Sequence, residues 1–293
     1  MAICEISNGK IVASVDSCGA ELKSLRRVDT DKEYMWCGDK KYWGRTSPLL
    51  FPLVGGLKNG EYRYKGGTYR MEKHGFVREA EFKLMSHDET ELWFTLSADE
   101  ETKKIYPFDF KLEVGYRLEG MKLRVLWRVE NPSEETLYFS IGGHPGINCP
   151  INEGEKRADY YLGFDAKECI RCTVIGEDGL ASDNKVIYEL EDGTLPITEE
   201  LFQRDAIVME DYQIHEISML TPDKKPYVKV AFDMPVVAVW SPAGIDAPFL
   251  CIEPWCGICD HTDFTGTLEE RKWGNEVQPG KRFASEYSIS IEA

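Results

Sequence analysis

A single carboxylate lies within an apolar stretch near the C-terminal end of the chain. Glu253 follows Ile252 and precedes Pro254 and Trp255. The proline disfavours a helical backbone at Glu253, and the apolar neighbours predict that its carboxyl group is partly desolvated. Desolvation raises the pKa of a carboxyl group, so we expect Glu253 to accept protons well near neutral pH and to act as a general base.

A histidine in a glycine-rich segment is the matching candidate for a general acid. His144 follows Gly142 and Gly143, which let a ligand approach the main chain, and Pro145 fixes the exit of the segment. Residues 137–141 read as a strand, so His144 is expected at a strand end, where binding groups often lie. A carboxylate of Glu253 nearby would keep His144 protonated near pH 7. The residues alone equally allow a core histidine that is hydrogen-bonded to a carbonyl group.

Four further side chains are candidates for holding a polar ligand. His74 follows a predicted strand, although a histidine before a glycine is also typical of a surface turn. Arg45 could donate hydrogen bonds to hydroxyl groups or pair with one of the many acids, and Asp205 could accept such bonds or cap a turn. Trp255 could stack on the apolar face of a ring, yet tryptophans are also common core residues.

Three cysteines near Glu253 raise the alternative of a metal cluster. Cys251, Cys256 and Cys259 have the C-x4-C-x2-C spacing of plant-type iron–sulfur proteins, and Cys169 and Cys172 could complete the site. The bulk and negative charge between Cys251 and Cys256 argue against this interpretation. We therefore expect reduced thiols, no metal and no cofactor.

Composition excludes several classes of partner. The chain has 293 residues and a formal net charge of −16, which would repel a nucleic acid over most of the surface. No apolar run approaches the ~20 residues that span a bilayer, and the first ten residues lack the pattern of a signal peptide. These features indicate a cytoplasmic protein that acts on a small, neutral molecule, and they leave room for a local basic pocket.

Alternating apolar and polar residues dominate the chain and predict strands. Residues 110–118 and 123–129 alternate on either side of Glu119 and Gly120, which is typical of a β-hairpin with one buried face. Residues 61–65 and 68–71 flank a Gly-Gly turn in the same way. A third hairpin is predicted around residues 7–10.

The rest of the chain completes an all-β prediction. Strands are predicted at residues 93–96, 227–232 and 283–291, whereas the one helical segment is at 198–203, with Thr198 as its N-cap. There is no linker and no repeat. We expect residues 1–293 to form one domain, a large antiparallel β-sandwich with few short helices.

The ordered set of these segments resembles the aldose 1-epimerase (galactose mutarotase-like) family, and most closely its bacterial branch of LacX-type proteins. No single motif is decisive, but their order and spacing cover nearly the whole chain. The matching segments are residues 47–55, 57–64, 74–78, 140–145, 201–206 and 251–255.

The resemblance implies a β-supersandwich with its site in a cleft on one sheet, and a sugar as the substrate. It implies that His144 is the acid that protonates the ring oxygen and that Glu253 is the base that takes the proton of the anomeric hydroxyl. His74 would bind substrate near the reacting centre, and Arg45 and Asp205 are the looser matches to substrate-holding residues. Trp255 remains the stacking candidate.

One position departs from the family pattern, and two alternatives of function stay open. The LacX-type branch often carries arginine after the glycine at Gly55, and here that position is Gly56. The first alternative is a carbohydrate-binding or sensing protein without catalysis on the same fold. The second is a mutarotase for a phosphorylated hexose, which would need a basic rim near the cleft. We expect a monomer or a homodimer.

Overall fold

The computed structural model describes residues 2–292, and these are organised almost entirely as antiparallel strands. The alternating segments of the sequence form strands as predicted, because each buries one face against the core. In chain order the strands are β1 (Ile3–Ser7), β2 (Ile11–Asp16), β3 (Glu21–Arg27), β4 (Leu49–Leu50), β5 (Glu61–Tyr64), β6 (Gly67–Arg70), β7 (Lys83–His87), β8 (Glu91–Ser97), β9 (Lys111–Glu119), β10 (Lys122–Glu130), β11 (Leu137–Phe139), β12 (Ile141–Gly143), β13 (Gly146–Asn148), β14 (Tyr161–Phe164), β15 (Cys169–Ile175), β16 (Ala181–Glu189), β17 (Thr194–Pro196), β18 (Ile207–Met209), β19 (Glu216–Leu220), β20 (Pro226–Phe232), β21 (Val236–Trp240), β22 (Phe249–Cys256), β23 (Asn275–Val277) and β24 (Arg282–Ile291).

The three predicted hairpins are confirmed as β1–β2, β5–β6 and β9–β10. The strand predicted at 137–141 is interrupted at Ser140, which separates β11 from β12. The backbone N–H of Ser140 donates to the carbonyl of Pro52, and its hydroxyl accepts a hydrogen bond from the N–H of Val54. These contacts end the first strand and start a second strand that joins another sheet.

Helical structure within residues 2–292 is short, and the one α-helix found there was not predicted. The helix α1 (Glu100–Ile105) begins at Asp99, whose carboxylate accepts hydrogen bonds from the backbone of Glu101 and Thr102. The segment predicted as a helix at 198–203 is a single 3₁₀ turn. The 3₁₀ turns are Lys58–Gly60, Val77–Glu79, Arg157–Asp159, Glu199–Phe202 and Leu268–Glu270.

Two large antiparallel sheets carry most of the described chain. The first contains nine strands in the order β17-β14-β19-β20-β24-β10-β9-β8-β7. The second follows the order β16-β15-β18-β21-β22-β12-β4, and β13 also pairs with β22. Three smaller groups, β1-β2-β3, β11-β23 and β5-β6, complete the architecture, and the expected all-β fold is confirmed.

The two large sheets pack face to face along β12, β22 and β24. A Cβ atom on Gly143 of β12 would lie 2.8 Å from the ring of Tyr287 in β24, so the backbone there approaches the opposite sheet closely. The thiol of Cys256 in β22 lies 3.9 Å from the hydroxyl of Ser285 in β24. Side chains of both sheets belong to the same buried apolar cluster. The other face of β22 is therefore free to form a cleft.

Within residues 2–292, none of the helices has the length and the apolar character that crossing a bilayer requires. The expectation of one domain over residues 1–293 remains a prediction.

Candidate active site

The pairing register of β22 brings His144 and Glu253 together. β12 pairs Gly142 with Trp255, and β13 pairs Gly146 with Cys251. Both β12 and β13 pair with β22 in the same register. Continued through the gap between β12 and β13, this register places His144 opposite Glu253. Because residues that face each other in an antiparallel pair point to the same side of the sheet, both side chains point into the cleft.

Alternation along β22 divides its residues between the core and the cleft. Ile252 and Cys256 belong to the core between the sheets. Cys251, Glu253 and Trp255 point the other way, and two of them, Glu253 and Trp255, line the cleft. The carboxylate of the predicted base is thus placed by strand geometry on the face that a ligand can reach.

His144 and Glu253 are in direct contact and almost fully buried. The Nε2 atom of His144 lies 3.1 Å from Oε2 of Glu253, which is a hydrogen-bonding distance. Only 8% of His144 and 2% of Glu253 is exposed. The Nδ1 atom of His144 has no hydrogen-bond partner among the described residues.

Burial sets the protonation state of this pair. Desolvation raises the pKa of Glu253 well above its ordinary value, as the sequence predicted. Desolvation also lowers the pKa of His144 to about 3, with Lys73, Arg78 and Arg45 acting in the same direction. The expectation of a charged His144 is wrong for the structure without a ligand, because burial of both groups outweighs their attraction. Burial therefore favours neutral His144 beside protonated Glu253, so the pair holds one proton that either group can carry.

Two tryptophans that the sequence did not single out enclose the imidazole of His144. The ring of Trp43 stacks on it at 4.7 Å between centroids and 27° between planes. Trp240 approaches it edge-on at 5.6 Å. Trp43 lies in the same loop as Arg45, two residues earlier, and that proximity was the only signal in the sequence. The two rings restrict the orientation of His144 and shield it from water.

His74 lies beside His144, with 5.7 Å between the ring centroids. Its Nδ1 atom accepts a hydrogen bond from the backbone N–H of Gly55 at 3.2 Å. A neutral imidazole then carries its proton on Nε2, which can donate to a ligand. Burial lowers the pKa of His74 well below its ordinary range, and repulsion from the protonated form of His144 is the next cause. His74 therefore stays neutral at physiological pH.

The backbone at His74 explains why glycine follows it. His74 has φ +72° and Gly75 has φ +75°. A Cβ atom on Gly75 would lie 2.1 Å from the carbonyl oxygen of Phe51, so no larger residue fits. This close approach holds the His74 loop against β4 (Leu49–Leu50) and aims the imidazole into the cleft.

Arg45 and Asp205 both line the cleft, but each also has a protein partner. Arg45 lines the cleft and pairs with Glu79, an exposed residue of the 3₁₀ turn Val77–Glu79. Asp205 has φ +71°, accepts a hydrogen bond from the N–H of Ala206 and lies 3.6 Å from the ammonium group of Lys73. The protein contacts weighed as alternatives are present, an ion pair for Arg45 and a turn contact for Asp205. Ligand binding by either residue stays a prediction.

Trp255 forms part of the cleft wall and is 5% exposed. Its indole lies 6.4 Å from His74 and packs tightly on Gly142, where a Cβ atom would meet it at 2.4 Å. The Nε1 atom of the indole has no partner among residues 2–292. A ligand oxygen could supply that missing acceptor.

The six predicted site residues line one open cleft of about 830 Å³. This volume is in the upper part of the ~300–1,000 Å³ range that small-molecule sites occupy. The cleft also has residues that the sequence analysis did not assign to it. These include Trp43, Lys73, Arg78, Glu177, Arg204 and Trp240.

The loop that carries Gly179 lies against Gly56, where the family pattern often has arginine. A Cβ atom on Gly56 would lie 3.2 Å from the carbonyl oxygen of Gly179, which itself lines the cleft. The two loops are therefore in close contact where a long side chain would begin.

The cysteines do not form the cluster that their spacing suggested as an alternative. Cys251 and Cys256 point to opposite faces of β22, since Cys256 contacts Ser285 in the other sheet and Cys251 packs among the aromatic residues near Trp240. Among residues 2–292, one group has donor atoms close enough to share an ion, and it consists of His144, Cys251 and Glu253, within 4.8 Å of one another.

Comparisons with known proteins agree with this fold. A sequence model of the aldose 1-epimerase family matches residues 3–290. The chain is 30% identical over 296 residues to the chromosomal LacX protein of Lactococcus lactis subsp. lactis, with 98% of each chain covered. It is similar to a crystal structure of a galactose mutarotase related enzyme from Lactobacillus acidophilus, with a TM-score of 0.93, 36% identity and coverage of 100% of this chain and 98% of the other. A galactose mutarotase-like protein from Lactobacillus casei has a TM-score of 0.91 at 27% identity, covering 99% and 100% of the two chains.

Proposed function

Because the chain belongs to the aldose 1-epimerase family, we propose that it interconverts the α and β anomers of a hexose by opening and closing the sugar ring. His144 serves as the acid and Glu253 as the base. The observation that carries the proposal is the direct contact of these two groups at 3.1 Å, on the wall of a cleft large enough for a sugar.

The chemistry needs one proton donor and one proton acceptor on neighbouring oxygens. Glu253 removes the proton of the anomeric hydroxyl, the bond between C1 and the ring oxygen breaks, and His144 gives its proton to that oxygen. Rotation about the C1–C2 bond presents the other face of the aldehyde, and the two transfers run backwards to close the ring. Concerted transfer avoids a free alkoxide, and each well-placed group contributes about 10²–10⁴-fold to the rate.

The neutral pair matches one of the two states that this cycle requires. With the ring closed, the productive arrangement is protonated His144 and ionised Glu253. After ring opening the pair still holds one proton, which is now on Glu253, and His144 is neutral. Burial favours this arrangement. The protein environment therefore stabilises the open-chain side of the reaction, where a free aldose in water is least populated.

The remaining residues hold the sugar around this pair. The Nε2 proton of His74 is directed to a substrate oxygen, while Trp255 offers both an apolar surface and a free indole N–H. Asp205 and Arg45 lie on the cleft wall with hydrogen-bonding atoms for hydroxyl groups. Trp43 covers His144 and excludes water from the transferring proton.

Polarimetry tests the proposal directly. The wild-type protein should accelerate the change in optical rotation of fresh α-glucose or α-galactose, and Glu253→Gln and His144→Asn should each lower the turnover by about 10²–10⁴-fold. Glu153→Gln removes an exposed carboxylate and serves as the control.

Two outcomes contradict the proposal in different ways. Near-full activity in either site variant would remove that residue from the mechanism. Sugar binding by the wild-type protein without any acceleration over the buffer rate would favour the alternative of a non-catalytic carbohydrate-binding protein.

A further inference from the structure

The charge of the cleft is opposite to that of the chain. The sequence has 51 acidic and 35 basic residues, yet four basic side chains, Arg45, Lys73, Arg78 and Arg204, line the cleft. We propose that the sugar bound there carries a phosphate group on a carbon other than C1, held mainly by Arg45 and Arg78. This inference rests on the proposed mutarotase function, which needs a free hydroxyl on C1.

Few charged acids in the cleft oppose these cations. The acidic residues of its lining are Glu177, Asp205 and Glu253, and burial raises the pKa of Glu253 well above its ordinary value, which favours the neutral carboxyl group. Asp205 is engaged with Lys73 at 3.6 Å. Within residues 2–292, Arg204 lines the cleft without an ion pair to an acidic side chain.

Arg45 and Arg78 line the same cleft, and their positive charges repel each other. Partial burial lowers the pKa of Arg78, and the positive charge of Arg45 lowers it further. Side-chain exposure is 27% for Arg45 and 18% for Arg78. Two guanidinium groups in one partly desolvated site favour a nearby anion, and the exposed carboxylates of Glu79 and Glu72 fill that role in this structure. A phosphate group can accept hydrogen bonds from both at once.

The carboxylates that now balance these arginines can be replaced. Arg45 pairs with Glu79, which is 67% exposed, and Arg78 lies 3.8 Å from Glu72, which is 90% exposed. Ion pairs with such exposed partners are weak, because water solvates the carboxylate and salt screens the attraction. A dianionic ligand in the cleft would therefore compete well for both guanidinium groups.

The basic side chains of the cleft also affect the proton transfer between His144 and the substrate. Lys73, Arg78 and Arg45 each disfavour protonation of His144. Ring opening needs protonated His144, so these three positive charges oppose the reaction of a neutral hexose. A bound phosphate group offsets the positive charge and raises the fraction of protonated His144, which makes an anionic sugar the better substrate.

The test compares free and phosphorylated hexoses with the same protein. Anomer exchange is measured by magnetisation-transfer NMR for glucose, galactose, their 6-phosphates and glucuronate. We expect kcat/KM for a 6-phosphate to exceed that for the parent sugar by about 10-fold to 100-fold, the usual range for hydrogen bonds to a charged group. The advantage should shrink as ionic strength rises.

Variants test whether the preference for a phosphorylated sugar depends on Arg45 and Arg78. Arg78→Gln and Arg45→Gln should each lower the ratio of kcat/KM for the 6-phosphate to that for the free sugar by about 10-fold or more. Arg282→Gln is the control, because Arg282 is an exposed arginine of β24 that pairs with Glu130 outside the cleft, and it should leave the ratio unchanged. Thermal unfolding shows whether each variant is folded.

The outcomes separate this inference from the proposed function. If free hexoses are interconverted in a reaction that needs Glu253, but phosphates give no advantage, only the phosphate site is wrong. A preference for glucuronate, or a ratio that Arg78→Gln leaves unchanged, also overturns it. If none of the sugars is interconverted faster than in buffer, the mutarotase function itself fails.

Discussion

His144 and Glu253 face each other across a gap in the pairing of β22, with Nε2 and Oε2 3.1 Å apart. The gap arises because Pro145 and Pro254 lack backbone N–H groups and interrupt regular pairing at this point. Two proton-transfer groups more than a hundred residues apart are therefore held by a strand register rather than by flexible loops. A site built on strands keeps its geometry better than one built on loops.

The buried carboxyl group of Glu253 should make the wild-type protein less stable at alkaline pH than its amide variant. The folded-state pKa is raised above the unfolded value, so its stabilising contribution is present below the unfolded pKa and is lost as pH rises through the folded pKa. Glutamine keeps the shape and does not titrate. Thermal unfolding at about pH 5 and about pH 9 should show that Glu253→Gln gains stability relative to wild type as pH rises, and a constant difference would contradict this.

The shared proton also predicts a broad activity profile. The working pair holds one mobile proton, and this state lasts from the lowered pKa of His144, about 3, to the raised pKa of Glu253. We expect kcat/KM to be nearly constant from about pH 5 to about pH 7.5, where a histidine of ordinary pKa near 6.5 would lose its proton. Activity should fall only at higher pH. Polarimetry corrected for buffer-catalysed mutarotation measures it, and an inflection near 6.5 would show that burial does not control the pair.

Period-two alternation was sufficient to predict much of the fold. The hairpin of β9 and β10 was found because its apolar residues repeat every second position from Phe110 to Leu118 and again from Leu123 to Val129. In the structure, alternation along β22 also places Glu253 and Trp255 on one face, which the sequence analysis did not state. It could not supply the register between β22 and the segments around His144, which depends on pairing over a distance of about a hundred residues. The resemblance to a known family brought those two residues together before the structure did.

Contacts between loops were beyond the sequence analysis. Trp43 stacks on His144 from a loop whose path is set by its own hydrogen bonds and packing. No local sequence pattern predicted that contact. Arg78 appeared only as the end of a matching segment, yet it lines the cleft together with Arg45. The charge of His144 was also misjudged, because the sequence showed a neighbouring carboxylate and did not show how deeply both groups are buried. The short helix α1, which Asp99 caps, was missed because it has only six residues.

His74 should contribute to substrate binding more than to the fold. Asparagine tolerates the positive φ of this position better than most residues, so His74→Asn should remain folded while losing the Nε2 donor. We expect kcat/KM to fall by about 10-fold to 100-fold, chiefly through KM. The control is His215→Asn, since His215 is exposed and outside the cleft lining. Equal effects of the two substitutions would remove His74 from the site.

Gly142 is expected to be essential for the position of Trp255. A Cβ atom there would lie 2.4 Å from the indole, so Gly142→Ala must push the ring toward the cleft. Overpacking of this kind costs about 1–3 kcal/mol, and the displaced ring should also lower kcat/KM by at least about 10-fold. Gly163→Ala is the control, because its new methyl group would meet only the flexible end of Leu220 at 3.2 Å. Full activity in Gly142→Ala would show that the indole position is unimportant.

Glu210 should stabilise the wall of the cleft through its charge. Its carboxylate accepts hydrogen bonds from Thr173, Lys185 and the indole of Trp273, and it also pairs with Lys272 at 2.6 Å. Burial alone would raise its pKa, but Lys272 and the hydrogen bonds lower it to about 2. Its folded pKa is thus below the unfolded value, so the stabilisation is present above pH 4.5 and is lost as pH falls through about 2.

The substitution Glu210→Gln removes that stabilisation. A carboxyl pKa that is lowered from 4.5 to about 2 corresponds to roughly 3 kcal/mol, so we expect the free energy of unfolding at neutral pH to fall by about that amount. Denaturant unfolding at several pH values measures the difference between wild type and variant, which should shrink below about pH 4. Glu276→Gln, at an exposed position of β23, is the control and should have little effect. A difference that does not depend on pH would mean that Glu210 acts through packing rather than through its charge.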